Sequence, residues 1–385
     1  MEIMAGQATR TEALARLRAF LPRVVDYSES RNFDLGPDGH KAVSQLSPYV
    51  RHRLLLEPEI VASLPENAKS SGVLKFKQEV YWRTYWKGWL EQRPAVWRDY
   101  VNWLDVESGV QSESMQAILD YRTGIECFDY WTRELIETGY LHNHARMWYA
   151  SIWIFTLKLS WQSGADLFMR HLLDGDAASN TLSWRWVAGL QTRGKHYLAR
   201  ADNIERFTQG RFNPVGQLDE TAEPLSETSE YPRHPLAAPE TLDSSKKYLL
   251  LLSEDDCLAE YSEIGAAPVV GVTALTPDTV RFSEKVQNFK KASVSDAMNR
   301  ACKHYKCEMK NSWVDSAESL AQCFTTSGAD AVLSLKAPVG STRDQFQALF
   351  SKTQIPGVEV TRAWDREHWP KASAGYFKFK KSLGL

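Results

Sequence analysis

Hydrophobic positions in residues 1–212 recur at the spacing of helix faces. In residues 11–25, Leu14, Leu17, Leu21 and Val24 share one face of such a helix. Further helices are predicted over residues 73–90, 114–120, 125–138 and 145–161, with Gly124, Gly139 and Gly164 at helix ends. The stretch 145–161 is apolar almost all round, which predicts a central buried helix.

The hydrophobic periodicity changes after residue 245. Short apolar runs rich in β-branched residues predict strands over residues 248–252, 268–275, 331–335 and 358–361. Between them, residues 278–305, 317–327 and 341–351 read as helices. This alternation predicts a parallel, doubly wound, Rossmann-like α/β layer. The absence of a G-x-G-x-x-G motif argues against a dinucleotide site in that layer.

The segment between these two regions differs from both. Residues 213–245 hold five prolines and seven acidic residues against one arginine. Such a segment cannot bury enough apolar area to offset its ordering entropy, so we expect a solvated linker. The predicted organisation is therefore an all-helical domain (1–212), a linker (213–245) and an α/β domain (246–385).

Composition narrows the possible partners. The net charge of −2 indicates no overall attraction to polyanions, so a nucleic-acid contact must be a local patch. No apolar stretch is long enough to span a membrane. The five cysteines are scattered and odd in number, which predicts reduced thiols in a cytoplasmic protein and no metal site.

Tryptophan is unusually concentrated, since 11 of the 14 lie between residues 82 and 186. Large rings packed in a helical core are the simpler interpretation, and an aromatic pocket or electron path is the alternative. Composition does not decide between them.

The most specific motif is D-G-D-A-A-S-N at residues 174–180, followed by Trp184 and Trp186. This D-G-D-x-A-x-N…W-x-W pattern resembles the core of the photolyase/cryptochrome family of flavoproteins. Four other segments resemble family motifs in the family's chain order: Y-S-E-S-R-N-F (27–33), S-Q-L-S-P-Y (44–49), E-V-Y-W-R (79–83) and H-N-H-A-R-M (142–147). The matches cover nearly the whole predicted helical domain.

The resemblance implies an FAD site, while a second, antenna chromophore stays open. Ser44 and Ser47 could hold a pyrophosphate at a helix start, although an isolated motif of this kind is more often a helix cap. Arg146 and Asp174 are expected to pair beside the flavin, and Asn180 resembles the residue facing flavin N5. The implied cofactor-binding set is Tyr27, Ser44, Gln45, Leu46, Ser47, Phe76, Glu79, Arg83, Asn143, Arg146, Asp174, Asp176 and Asn180.

Five positions resemble the lesion pocket of photolyases that repair cyclobutane pyrimidine dimers: Glu79, Asn143, Met147, Trp82 and Trp186. The histidine pair that (6-4) photolyases carry at two of these positions is absent. The resemblance implies light-driven electron transfer from reduced FAD to a dimer in ultraviolet-damaged DNA, by a monomeric protein. Core packing is the alternative role for Trp82 and Met147.

Two tryptophans match the family's electron relay, Trp184 next to the flavin and Trp161 in the middle. The distal position falls near Ser108, and Trp103 or Trp148 could substitute. Arg31 matches a residue that contacts DNA phosphate, whereas His144 replaces the usual arginine at the second such position. A neutral imidazole neutralises no phosphate, so this change is expected to weaken DNA binding.

These departures keep two other functions open. A cryptochrome-like photoreceptor would bind FAD without repairing DNA, and it would not need the five pocket residues. A light-independent flavin protein that binds a partner is the third possibility. The domain order also departs from the family, whose members normally begin with an α/β antenna domain. We expect the α/β domain to dock against the helical one in its place.

Overall fold

The computed structural model describes residues 7–65, 70–107, 113–238, 240–278, 281–309 and 313–385. Helices form the first half of the chain, as predicted. They are α1 (Arg10–Phe20), α2 (Tyr27–Ser30), α3 (Ser47–Arg51), α4 (Glu57–Ser63), α5 (Ser71–Glu91), α6 (Ala95–Glu107), α7 (Glu113–Leu119), α8 (Glu126–Thr138), α9 (Asn143–Ser151), α10 (Trp161–His171), α11 (Ala177–Val187) and α12 (Ala201–Phe207).

The predicted helix over residues 145–161 is wrong in its second half. Helix α9 passes into a π-helical turn at Ile152–Thr156, and Lys158 then adopts the left-handed conformation, with φ 56°. The Nε1–H of Trp153 donates to the carbonyl of Ser160 at 2.8 Å, which holds the break in place. Helix α10 begins only at Trp161.

Gly164 lies inside α10, so its prediction as a helix end is also wrong. A Cβ at this position would lie 2.3 Å from the ring of Trp184 and 2.9 Å from Nε1 of Trp153. Close packing of two indoles therefore explains this glycine, whereas Gly139 does end α8 in the left-handed conformation.

The second half contains a four-stranded parallel sheet in the order β2-β1-β3-β4, which confirms the predicted α/β layer. Alternate residues of the first strand belong to different cores: Leu250 and Leu252 to one, Leu249 and Leu251 to the other. Both faces of the sheet are thus covered, as in doubly wound folds. Its elements are β1 (Tyr248–Leu252), β2 (Val269–Ala274), α13 (Glu284–Tyr305), α14 (Ala317–Ser327), β3 (Ala331–Leu335), α15 (Ser341–Phe350), β4 (Gly357–Val360), α16 (Ala363–His368) and α17 (Tyr376–Ser382).

The α/β layer docks against the helices, as expected from the sequence. Helices α1 and α3 share one hydrophobic core with α13 and the sheet. Buried ion pairs also cross the contact: Arg53 binds Asp365 at 2.7 Å and Asp256 at 3.1 Å. Helices α16 and α17 then pack on α5.

Residues 213–238 contain neither helix nor strand, yet they follow the surface of the helices. The carboxylate of Glu227 accepts a 2.9 Å hydrogen bond from Arg185, and the hydroxyl of Tyr231 donates to Asp99 at 3.0 Å. The domain boundaries at 212 and 245 stay predictions. No helix in the described part of the chain has the length and apolar character needed to cross a membrane.

Candidate functional site

A cavity of ≈ 460 Å³ lies among α3, α5, α9 and α11. Its wall brings together residues from all five motif segments. The predicted residues that line it are Tyr27, Arg31, Ser44, Gln45, Leu46, Ser47, Phe76, Glu79, Trp82, Arg83, Asn143, Arg146, Met147, Asp174, Asp176, Asn180, Trp184 and Trp186. Of the predicted site residues, Trp161 and His144 are absent from the wall.

Helix α5 supplies one edge of the cavity through helical spacing. Phe76, Glu79 and Arg83 lie three and four residues apart, so their side chains share one face. Phe76 packs on Phe20 and Tyr27, with ring centroids 4.8 Å and 5.1 Å away. This apolar contact anchors the start of the wall.

Helix α9 carries Arg146, which pairs with Asp174 as the sequence predicted. The pair is bidentate, with both Nη–Oδ distances at 3.0 Å. Burial alone would raise the pKa of Asp174, but Arg146 and Arg83 outweigh it and hold the pKa below its ordinary value. A fixed ion pair therefore forms part of the wall.

Asp176 begins α11 as its N-cap, accepting a 2.7 Å hydrogen bond from the Ser179 N–H. Its Oδ2 lies 3.6 Å from both Arg83 Nη1 and Lys87 Nζ. Burial opposes ionisation of this carboxyl, yet the nearby cations, Lys87 foremost, lower its pKa. One buried carboxylate is thus shared by two cations.

The surroundings of Arg83 and Lys87 indicate whether the site fits FAD. Both Arg83 Nη1 and Lys87 Nζ are buried and have no hydrogen-bond partner among the described residues. Asp176 is the carboxylate that both cations share, at 3.6 Å, although Glu57 also interacts electrostatically with Lys87. Unpartnered buried donors on two cations fit the pyrophosphate of FAD.

The loop before α3 has an unusual backbone. Gln45 adopts φ 51°, a region that non-glycine residues rarely populate. Ser44 Oγ accepts a hydrogen bond from the Leu46 N–H at 3.4 Å, and Leu46, rather than a serine, occupies the N-cap of α3. Backbone strain of this kind is frequent where a loop holds a ligand.

Asn180 is oriented by its neighbour on α10. Its Nδ2 donates to the carbonyl of Ala165 at 2.8 Å. This bond uses one of the two N–H groups of the amide and fixes the orientation of the side chain at the cavity wall.

The two tryptophans of the predicted lesion pocket are both backed by a tyrosine. Trp82 stacks on Tyr376 of α17, with centroids 3.6 Å apart and planes 11° from parallel. Trp186 stacks on Tyr197, with centroids 5.9 Å apart. Neither tyrosine lines the cavity, so each supports its indole from outside the wall.

Glu79 and Arg31 bind one another in this structure. Arg31 Nη1 donates to Glu79 Oε1 at 3.0 Å, and Lys75 Nζ lies at the same distance from that oxygen. Glu79, which is predicted to contact the lesion, and Arg31, which is predicted to contact DNA phosphate, are therefore adjacent at the cavity.

His144 is half-buried and does not line the cavity. Its Nδ1 pairs with the carbonyl of Asn32 at 3.0 Å, and its ring stacks on Trp148 at 4.1 Å. Burial lowers the pKa of His144, so the imidazole is neutral near pH 7. Its assignment as a DNA contact stays a prediction.

The two predicted relay tryptophans line different cavities, and their role in electron transfer stays a prediction. Trp184 lines the cavity, and its ring contacts Trp153 and Phe168, with centroids at 6.1 Å and 5.1 Å. Trp161 stacks instead on Tyr100 at 5.8 Å, and with Trp103 it lines a second cavity. Ser108 lies outside the described residues. Of the two proposed substitutes, Trp103 is the one that shares a cavity with Trp161.

Sequence reasoning missed Lys87, Trp86 and Tyr376. Lys87 could have been found, because it follows Arg83 by one helical turn and thus shares its face. Trp86 follows Trp82 by the same spacing and lines the cavity. Tyr376 carried no comparable signal, because nearly 300 residues separate it from Trp82 in sequence.

Comparison with known proteins agrees with this geometry. Residues 76–245 match the family model for the FAD binding domain of DNA photolyase. A deoxyribodipyrimidine photo-lyase of Vibrio cholerae is 31% identical over 213 residues, covering 53% of this chain and 44% of the relative. Another from Thermus thermophilus is 32% identical over 253 residues, covering 63% and 56%. A solved bacterial class III photolyase from Agrobacterium tumefaciens is 27% identical, with a TM-score of 0.44 over 52% of this chain and 43% of that one.

Residues 76–245 therefore match the FAD-binding domain of DNA photolyase, and this part of the chain is similar to the photolyases named above. The chain spans about half the length of the curated relatives it matches. Activity, substrate and partners of the whole protein are consequently matters for proposal.

Proposed function

We propose that this protein splits cyclobutane pyrimidine dimers in ultraviolet-damaged DNA in a light-driven reaction that depends on FAD. One observation carries the proposal: Glu79, Asn143, Met147, Trp82 and Trp186 line the same cavity as the residues that fit FAD. When bound, FAD supplies light-driven one-electron chemistry. The protein's part is to place the lesion beside it and to keep it there.

Trp82 and Trp186 provide the stacking surfaces for an extruded dinucleotide. Flipping bases out of a duplex costs a few kcal/mol, and stacking on an aromatic side chain returns about 1–3 kcal/mol per base. The supporting tyrosines fix both indole planes in advance, so little conformational entropy is lost when a base arrives.

Glu79 and Asn143 provide the polar contacts. Glu79 lies at the cavity with its carboxylate positioned by Arg31 and Lys75. Asn143 is exposed at the first position of α9, where its amide can reach a base carbonyl. Met147 follows one turn later and adds an adaptable apolar surface.

The direct test is repair of a dimer-containing oligonucleotide by the photoreduced protein, with a dark control. Illumination should remove the dimer, and Glu79→Ala should slow its removal at least about tenfold, because a positioned acid–base group is lost. Glu137→Ala, an exposed carboxylate on α8, serves as the matched control and should repair normally. Absence of repair by protein that holds photoreducible FAD would contradict the proposal.

A photoreceptor without repair activity is the second candidate. Its support is that both residues predicted to contact DNA phosphate are engaged internally, Arg31 by Glu79 and His144 by Asn32. A photoreceptor should change its binding to a protein partner on illumination and leave dimers intact. Illuminated protein that repairs dimers would eliminate this candidate.

We further propose that the protein acts as a monomer in the cytoplasm. No disulfide joins any of the five cysteines, all of which lie in the described part of the chain, and this suits a reducing compartment. Fractionation of cells and the sedimentation of purified protein test these two points.

A further inference from the structure

Three metal-ligating side chains meet outside the cavity. Asp34, His40 and Glu134 each place a ligand atom within 4.8 Å of the other two. All three residues are buried, with exposed fractions of 0%, 5% and 4%. None of them lines the cavity described above.

Their hydrogen bonds leave part of the cluster unsatisfied. His40 Nε2 and Glu134 Oε1 are 2.9 Å apart. His40 Nδ1 and Glu134 Oε2 are buried without a hydrogen-bond partner among the described residues. Polar atoms without a partner are expensive inside a protein. His40 Nδ1 faces away from the Nε2 that contacts Glu134, so Glu134 Oε2 is the unpartnered atom that points to a missing ligand.

Both carboxylate oxygens of Asp34 accept hydrogen bonds, an arrangement that is common for carboxylates that bind a metal ion. Trp131 Nε1 donates to its Oδ2 at 2.8 Å, and the Gly36 N–H donates to Oδ1 at 3.2 Å. Each oxygen retains a lone pair, and outer hydrogen bonds of this kind orient metal ligands.

The charge of the cluster also lacks compensation. Two buried carboxyl groups, Asp34 and Glu134, face one nearby guanidinium, Arg211, whose Nη1 lies 3.9 Å from Asp34 Oδ1. A cation between the ligands would remove this imbalance.

We propose that Asp34, His40 and Glu134 bind a divalent metal ion of the zinc class. One imidazole and two carboxylates form a ligand set of the type that zinc takes, with a fourth position for water. Zinc lies about 2.0–2.2 Å from such ligands, so the ligand atoms of a tetrahedral site lie about 3.3–3.6 Å apart. The three ligand atoms lie within 4.8 Å of one another, so closing the cluster onto the ion requires shifts of up to about 1 Å.

The ion would stabilise the platform under the cavity. The ring of His40 stacks on His142 at 5.6 Å. His142 is the N-cap of α9, the helix that carries Asn143, Arg146 and Met147. A metal that fixes His40 therefore positions the start of that helix. Because the ligands are buried, the ion is expected to enter during folding.

The test uses full-length FAD-containing protein without a histidine tag. After dialysis against zinc-free buffer, mass spectrometry of the metals should find about one equivalent of zinc per chain. Stripped protein should bind added ZnCl₂ at least about tenfold more tightly than the Glu134→Gln variant does. Glu137→Gln, an exposed carboxylate on the same helix, should match the wild type.

A second measurement avoids dependence on any variant. Added zinc should raise the melting temperature of stripped wild-type protein, and a chelator should reverse the rise. Equal binding of zinc by wild type and Glu134→Gln, with no shift in melting temperature, would overturn the proposal and leave a protonated or hydrated polar cluster. Magnesium binding as tight as zinc would overturn the assigned metal class.

Discussion

Buried charges occur in two regions of this protein, and they are paired differently. At the contact between the helices and the α/β layer, Arg53 binds two carboxylates at 2.7 Å and 3.1 Å, and Arg362 binds Asp256 at 2.6 Å. Beside the cavity, Arg83 and Lys87 share one carboxylate at 3.6 Å. The first region completes its ion pairs within the chain, and the second does not.

This difference separates charges that hold the fold from charges available to a ligand. Removing one partner of a completed buried pair leaves its counter-charge stranded, which is costly. Removing a poorly paired cation should change the free energy of unfolding little and should weaken ligand binding more. Substitutions at the contact between the helices and the α/β layer should therefore mainly lower stability. Substitutions of Arg83 and Lys87 should mainly weaken FAD binding.

The largest effect is expected for Arg53→Met at the contact. Asp365 would remain buried without its guanidinium, and Asp256 would keep only Arg362, so the free energy of unfolding should fall by about 3–5 kcal/mol. Chemical denaturation measures this change. The control is Arg122→Met, which removes an exposed pair with Asp120 and should leave the free energy of unfolding nearly unchanged. An equal loss of unfolding free energy in Arg53→Met and Arg122→Met would show that the buried ion pairs at the contact do not stabilise the fold.

Asp174→Asn tests the completed pair that does occur at the cavity. Losing the charge-assisted bonds to Arg146 should lower the free energy of unfolding by about 1.5–3 kcal/mol at pH 7. The pKa of Asp174 lies below its unfolded value of about 3.9, so its stabilisation is complete above that pH and is lost as the pH falls through the folded pKa.

The deficit of Asp174→Asn should therefore narrow in acid below about pH 4, as urea titrations across pH can measure. A deficit that stayed constant down to pH 2 would show that the carboxylate charge is not what stabilises the wall.

Gly164→Ala tests packing behind the cavity wall without changing any charge. The added methyl group would lie 2.3 Å from the ring of Trp184, which must move. Overpacking of this kind costs about 1–3 kcal/mol, and FAD binding should weaken with it because Trp184 lines the cavity. Gly375→Ala has open space around it and should change unfolding by only a few tenths of a kcal/mol. Wild-type stability in Gly164→Ala would show that the indoles pack loosely.

The sequence predicted those helices and strands that are determined by residues close together in the chain. Helical spacing found α5, α8 and α14, and β-rich runs found all four strands. Motif spacing gathered the residues of the cavity wall, because each motif lies on one helix face or loop. The Arg146–Asp174 pair was predicted in the same way.

Features that depend on distant contacts were not predictable. The break after α9 is stabilised by the hydrogen bond from Trp153 to Ser160. A glycine is needed at position 164 because the indole of Trp184 lies where a Cβ would be. Asp34 and Glu134 are 100 residues apart, and no spacing rule connects them. Tyr376 reaches Trp82 only because α17 docks on α5.

Arg83→Met, measured in both stability and FAD affinity, tests the distinction between the two regions most directly. Unfolding of the FAD-free variant should differ from wild type by under about 1 kcal/mol, because the distance from Arg83 to Asp176 is long, at 3.6 Å, and Lys87 stays beside that carboxylate. Its affinity for FAD should fall about 10- to 100-fold, which corresponds to the loss of one charge-assisted bond. Unchanged FAD affinity together with a large loss of stability would contradict the interpretation and make Arg83 a structural residue.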